Sequence, residues 1–379
     1  MADTRYDCIV LGTGGVGSAA LYHLASRGHR VLGLDQFPPG HDQGSSHGDT
    51  RIIRLVYFEH PDYVPLLHRA FDLWQQLGEQ TTLDVFKRCG ILQAGPGDGD
   101  VITGLRAAAQ AHRLELNTLD KQAIAAQFPG FDVPEELTVL FDPNGGILRV
   151  EDCIRAHVSL AKAAGASLVI GEPVVSWQQI GDSVEVKTKQ STYQCNKLIV
   201  TPGPWAANQL PALSQHFRLL RKSQFWFDND APEYLLSNNC PVFLFEHGEH
   251  TFYGFPQVDE KGLKVADHAG GRFFKSPDKV DRTIDTQELE SASLFLRQYL
   301  PKVGHQLNHH VACMYTMSPD GQFIVGQYPD AANVQFAAGL SGHGFKFATV
   351  LGEALTDLTL HGRTDLPIDF LSPKRLSRN

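Results

Sequence analysis

The sequence predicts an α/β protein whose first domain is interrupted by a second, β-rich domain built on a mixed or antiparallel sheet. Three observations predict it. A strand, glycine turn, helix and strand open the chain; a strand, glycine turn and helix come near its end; aromatic-rich alternating segments lie between.

The opening unit reads "YDCIVLGTGGVGSAALYHLASRGHRVLGLDQ". Residues 6–11 are β-rich and end at Gly12. Gly12, Gly14 and Gly17 form GxGxxG, and Val16, Ala19, Ala20 and Leu24 fit one helical face. Gly28 stops the helix, and "RVLGLD" is a second strand closed by Asp35, 21 residues after Gly14. Gly12 makes the sharp turn, Gly14 lets the backbone approach a pyrophosphate, and Gly17 lets helix and strand pack closely. The helix start offers unpaired N–H groups and the positive end of its dipole to phosphate. An acid at the end of the second strand accepts hydrogen bonds from ribose hydroxyls. A lone GxGxxG is weak evidence. With this strand, helix and acid around it, it marks a dinucleotide site without separating FAD from NAD, and Asp35 disfavours a 2′-phosphate.

Further along, "DYVPLLHRAFDLWQQL" carries an amphipathic helix from about Tyr63 to Leu77, and "VFKRCGILQAG" reads as a strand pair at an edge. Residues 151–206 read as a helix, a strand and a three-stranded meander that ends in a buried strand, Lys197 to Thr201, and a Gly-Pro turn. "FWFDND", "VFLFEHGEHTFYGFP" and "LKVADHAGG" add strands, and "TQELESASLFLRQYLP" is a helix. "VQFAAGLSGHGFKFATVLGEALTDLTL" is the closing strand, turn and helix. The expected division is 1–85, 150–218 and 318–379 for the nucleotide domain, and 86–149 and 219–317 for the inserted one. That interruption favours a flavoprotein over a contiguous NAD-binding domain.

Bulk properties agree with two domains. The chain has 379 residues, 42% hydrophobic and 20% charged, an ordinary soluble composition. A net charge of −9 argues against nucleic acid or anionic membrane as partner. No apolar run reaches the roughly 18 to 20 residues that span a bilayer. The six cysteines are widely spaced, with no CxxC pair or zinc spacing, so no metal site and a reducing compartment are expected. "MADTRYDCIVLGTGG", with Asp3 and Asp7, lacks the apolar stretch of a signal peptide. "LSPKRLSRN" is neither a peroxisomal nor a prenylation signal, and the expected location is the cytoplasm.

Several polar positions stand out. Cys313, in "HHVACMYTMSPD", is on its own a small buried hydrophobe. Arg51 and Arg54 in "GDTRIIR" would share a face on a helical turn and oppose each other on a strand. Two arginines in an apolar run need partners, either acids such as Asp49 or the carboxylate of a ligand. Lys346 in "SGHGFKFA" falls just inside a helix start, where a cation opposes the dipole, which suggests an anionic partner unless it is a surface lysine.

Four stretches, "GTGGVGSAA", "SSHGDTRIIR", "ACMYTMSPDGQFIVG" and "GLSGHGFKFATVLGEAL", make the chain resemble the monomeric sarcosine oxidase and N-methyltryptophan oxidase family of D-amino-acid-oxidase-like flavoproteins. They span nearly the whole length, and the last three are the more diagnostic. The resemblance implies a discontinuous Rossmann-like FAD-binding domain and oxidation of secondary amino acids by oxygen in a monomer. It implies that Cys313 holds FAD covalently through the 8α-methyl carbon. Arg54 and Lys346 would hold the substrate carboxylate, Lys346 lying also toward the flavin N1/C2=O edge, with Arg51 near the flavin face. Lys264 would activate oxygen near flavin N5, while Tyr253, His268 and Tyr315 line the cavity. Gly342 and Gly344 permit close approach to the ring; the bland reading of His343 is a turn residue only. Family members read "SHHGDTRIIRHAYGEG" where this chain has "SSHGDTRIIRLVYFEH". Ser46, Leu55, Phe58 and His60 depart from that pattern, as does Asp267, where a larger or basic residue is usual. A bulkier or more polar N-methyl amino acid, or a cyclic one such as pipecolate or proline, is therefore an alternative to sarcosine. A dehydrogenase with another electron acceptor is a further alternative.

Overall fold

The computed structural model describes residues 5–378. Asp3 and the outermost ends of the expected nucleotide domain, residues 1–4 and 379, lie outside the described residues. Three sheets organise the chain. The eight-stranded sheet has a parallel centre ordered Ser167–Ile170, Val31–Asp35, Arg5–Leu11, Thr192–Val200 and Val334–Ala338. Residues 8–11, 31–34, 198–200 and 334–338 of these strands are buried on both faces, as covered parallel strands must be. The helix Gly15–Ser26 packs between Val150–Ala163 and Ala348–His361 on one face. There the approach is close: a Cβ on Gly352 would lie 2.6 Å from that of Ala19. The expected meander is present as Val174–Ile180, Ser183–Thr188 and Thr192–Val200. Its last strand does double duty along one edge. Residues 192–195 pair with the meander, and 198–200 pair in parallel with Val334–Ala338.

The nine-stranded sheet is antiparallel except where Ile91–Gly95 runs parallel to Val242–His247. Its spine is Arg218–Phe227, paired along its length with Leu307–Met317. That register sets Lys222 opposite Cys313 and Leu220 opposite Tyr315. An aromatic core of Phe243, Phe245, Phe252 and Phe295 closes the face under the helix Thr286–Tyr299.

The expected edge pair in "VFKRCGILQAG" is corrected. Phe86–Arg88 joins Gly146–Arg149 and Thr50–Ile53 in a separate three-stranded sheet. Ile91–Gly95, buried throughout, enters the large sheet between Val242–His247 and Thr138–Asp142. Gly90 divides them: its φ is +74°, and a Cβ there would lie 2.3 Å from the Phe141 ring. The amphipathic helix runs Val64–Glu79. The helix Asp100–His112, absent from the sequence expectation, buries Val101, Ile102, Leu105 and Ala108. Lys346 lies in a 3₁₀ turn, Phe345–Phe347, one turn ahead of the helix that starts at Ala348, not inside that helix.

Candidate functional site

The glycine turn builds the first half of the site. Gly12 has φ +83°, and a Cβ on it would lie 2.4 Å from the Thr201 carbonyl oxygen. A Cβ on Gly17 would lie 1.8 Å from the Gly12 oxygen, so helix and strand meet through hydrogen alone. Nothing lies within 4 Å of a Cβ on Gly14; that side opens on a cavity of about 440 Å³. The helix start has no side-chain cap, which leaves its N–H groups for a ligand. Asp35 lines the same cavity. Its Oδ2 accepts from the Thr13 N–H at 2.6 Å and hydroxyl at 3.0 Å, and its Oδ1 from the Phe37 N–H at 3.0 Å. The acid therefore shapes the turn, with one lone-pair site left over, on Oδ1. Arg51, Tyr315, Gly342 and Gly344 line the far end of this cavity. Its glycine cradle, uncapped helix start and lining Arg51 fit an FAD.

A second cavity, about 60 Å³, adjoins the first across Arg51, Tyr315, Gly342 and Phe345, which line both. It gathers Arg54, Tyr253 with His268, and Lys346 from three distant parts of the chain. Arg51 is on the strand Thr50–Ile53 and Arg54 follows its end, so both reach this cavity. The Arg51 guanidinium donates to the Thr50 and Ser45 carbonyls at 2.8 and 3.1 Å and lies 3.5 Å from the Cys313 sulfur. Cys313 is fully buried beside Met314, Tyr315 and Thr316, which line the larger cavity.

Neither arginine pairs with Asp49, which takes Lys261 instead. Arg54 is buried between the Tyr57 and Phe58 rings, at 4.8 and 4.5 Å. Its Nη2 contacts both Glu59 oxygens at 2.5 Å, while its buried Nε has no partner among the described residues. Burial pushes the Glu59 carboxyl up, but Arg54 and then His343 and Lys346 outweigh it and hold the group ionised below the ordinary range. Arg54 thus already holds one carboxylate, that of Glu59, through Nη2 and leaves its Nε unpartnered among the described residues.

Lys346 donates to the His343 carbonyl at 2.7 Å, and burial lowers its pKa to about 7. His343 is more than a turn residue. Its Nδ1 meets the Tyr57 hydroxyl at 2.5 Å and its Nε2 the Gly321 carbonyl at 3.0 Å, an arrangement that sets the proton on Nε2. His268 lies 3.4 Å from the Tyr315 hydroxyl, and burial drops its pKa to about 3, so it is neutral at physiological pH.

Lys264 is fully buried. Its Nζ donates to the Gly48 and Thr50 carbonyls at 2.6 and 3.1 Å and lies over the Trp226 and Phe255 rings. Burial, then Arg51, lowers its pKa well below the ordinary lysine value. Asp267 accepts from His250 at 2.6 Å and from the N–H groups of Thr251, Ala269 and Gly270. It builds a turn rather than a pocket wall. Lys222, opposite Cys313, donates to the Gly270 carbonyl, and burial brings it down to about 8.

Sequence reasoning missed Glu59, Tyr57, Leu244 and Lys222. Only Glu59 left a signal, an acid five residues after Arg54. Among the described residues there is no cluster of metal-binding side chains, and no helix is long and apolar enough to cross a membrane.

A family model described as FAD dependent oxidoreductase matches residues 7–358. A monomeric sarcosine oxidase from Bacillus sp. (strain NS-129) is 37% identical over 377 residues, covering 98% of this chain and 97% of that one. An N-methyl-L-tryptophan oxidase from Escherichia coli O139:H28 is 38% identical over 378 residues, covering 99% of each. Among solved structures, the open form of NikD, an unusual amino acid oxidase essential for nikkomycin biosynthesis, superposes with a TM-score of 0.85 at 25% identity, covering 97% of each chain. The fold is also that of an L-proline dehydrogenase from P. horikoshii, TM-score 0.86 at 20% identity over 99% of each chain.

Proposed function

The chain belongs to the FAD-dependent oxidoreductase family, and from that premise we propose that it is an oxidase of secondary amino acids. An N-methyl amino acid, oxygen and water become the amino acid, formaldehyde and hydrogen peroxide. One observation carries the reading: a buried guanidinium with an unpartnered N–H and a buried ammonium, Arg54 and Lys346, face a small cavity that adjoins the nucleotide cavity. The likeness to sarcosine and N-methyltryptophan oxidases along nearly the whole chain supports it.

FAD, which Gly12, Gly14, Gly17 and Asp35 would hold, would supply the two-electron redox chemistry between the substrate's C–N unit and oxygen. Arg54 and Lys346 bind the substrate carboxylate by charge-assisted hydrogen bonds, which fixes the N-methyl group toward the larger cavity. His268, neutral and weakly basic, orients the amine rather than removing its proton. Lys264, when protonated, presents a positive charge to oxygen as it is reduced. Tyr253 and Tyr315 close the cavity and exclude water. Cys313 is the attachment point of FAD; its sulfur accepts a hydrogen bond from the Arg51 guanidinium. The division into a nucleotide domain (1–85, 150–218, 318–379) and an inserted domain (86–149, 219–317) belongs to the same reading, as does a monomer working in the cytoplasm.

Peroxide formation with sarcosine, N-methyltryptophan, pipecolate and proline tests the activity; no peroxide from any of them overturns it. Precipitation in acid tests the tether. Yellow flavin stays with the wild-type polypeptide and leaves Cys313→Ala; full release from the wild type disproves the covalent link alone.

A further inference from the structure

The carboxylate end of the small cavity is cationic, and beside Leu244 of its wall lies a polar group with nothing to bind. Gln93 is in the strand Ile91–Gly95 and has no solvent exposure. Both its amide atoms, Oε1 and Nε2, are without a hydrogen-bond partner among the described residues. Native proteins rarely leave a buried amide unpaired, because it forfeits its hydrogen bonds to water and regains none.

Its place in the sheet shows what it faces. One ladder row runs Leu140, Gln93, Leu244, Tyr253, Ala266 across five neighbouring strands. Side chains in one row project from the same face of a pleated sheet. The other four belong to one apolar core, and Leu244 and Tyr253 line the 60 Å³ cavity. Asp142, two residues beyond Leu140 and therefore on that face, accepts from the Leu55 and Val56 N–H groups at 3.1 Å. It draws the loop that carries Phe58 and Glu59 over this row, and those two also line the cavity. Gln93 therefore lies next to the cavity wall, at the end away from Tyr253.

We propose that Gln93 is a specificity-determining residue of this cavity, and that the secondary amino acid oxidised best carries a neutral hydrogen-bonding side chain, a carboxamide or hydroxyl. This deepens the reading above and rests on it. An amide both donates and accepts, so it pairs with either group. A second carboxylate is excluded, because the row around Gln93 is apolar and would leave that charge unpaired. An apolar side chain is disfavoured because it leaves the amide orphaned once the cavity closes over it.

N-methyl-L-asparagine and N-methyl-L-leucine have the same branched outline and differ in polarity, which makes them the test pair. The ratio of their kcat/KM values should favour the asparagine by about tenfold or more, the value of a hydrogen bond made in place of an orphan. In Gln93→Leu that ratio should fall at least tenfold, with the change carried by KM. Gln93→Met is the second variant, and retained flavin absorbance in each confirms that the site is assembled. A wild-type ratio near or below one, or a ratio unchanged in both variants, overturns the proposal while peroxide from sarcosine leaves the functional reading standing. Peroxide from no secondary amino acid at all overturns both.

Discussion

Arg54 neutralises the buried Glu59 through Nη2, and its unpartnered Nε is the N–H proposed for the substrate carboxylate. Arg54→Met removes the ligand contact and strands a carboxylate. Hydrogen bonds to charged groups are worth about 1.5–3 kcal/mol, so KM should rise by roughly 10- to 150-fold; a steady-state peroxide assay that finds an unchanged KM excludes Arg54 from the substrate. Lys346 adds a pH dependence with a defined sign. Burial lowers its pKa to about 7, and only the protonated form attracts a carboxylate. A substrate-shaped acid without an amine, such as methoxyacetate, should therefore bind evenly below pH 7 and weaken as the pH rises above it. Lys346→Arg should remove that fall, as followed by the flavin absorbance. The basic members of the site were legible because "GDTRIIR" and "SGHGFKF" stand in short contiguous patterns. Glu59 as the partner of Arg54, and Gln93 beside Leu244, were not, because side chains converge through ladder registers and loop paths that no local pattern encodes. Asp49, the acid nearest in sequence, was the wrong partner for the same reason: its neighbour in space is Lys261, 212 residues away.

At the scale of elements, the glycine turn and the Asp267 turn make opposite demands. The first requires an absence: a methyl on Gly17 would overlap the Gly12 carbonyl, so Gly17→Ala should yield a colourless protein that fails to bind FAD. The second requires a carboxylate, which caps three N–H groups and binds His250. Burial pushes the Asp267 carboxyl up, but His250, Lys222 and the backbone donors more than offset it, and its pKa stays below the ordinary 3.8. Its depressed folded value means that its stabilisation is complete above the ordinary value and disappears as pH falls through the lower one. Asp267→Asn should thus lower Tm by a few degrees at neutral pH and by progressively less below about pH 4; a pH-independent gap would assign the effect to packing. The opening strand, turn and helix were legible because propensity, periodicity and turn chemistry agree there. The helix Asp100–His112 has the spacing of an amphipathic helix at Val101, Ile102, Leu105 and Ala108, but its small residues weaken the pattern. "VFKRCGILQAG" looked like one strand pair because nothing local shows that its halves enter different sheets.

The whole molecule is held by pairings between residues far apart in sequence. The strand Thr192–Val200 divides one edge between its own meander and a strand more than 130 residues later. The nucleotide cavity likewise draws on Gly12, Asp35, Thr201, Tyr315 and Gly342. The alternation of a βαβ opening, a β-rich middle and a strand–turn–helix ending made the two-part architecture legible. Strand order and the three-stranded sheet that carries Arg51 were not, because register across long loops follows from burial of whole faces rather than from local sequence. A cavity assembled from so many segments couples ligand binding to global stability. Any ligand that binds only the folded chain stabilises it by RT ln(1 + [L]/Kd), about 1.4 kcal/mol per tenfold of free ligand above Kd. The tether proposed at Cys313 changes that relation, because a covalent cofactor stays with the chain when it unfolds and mass action no longer applies. Thermal unfolding of Cys313→Ala should therefore shift upward with each tenfold of added FAD, while the wild-type midpoint should not respond. Equal responses in both proteins would mean that FAD exchanges freely in each and that Cys313 only packs behind it.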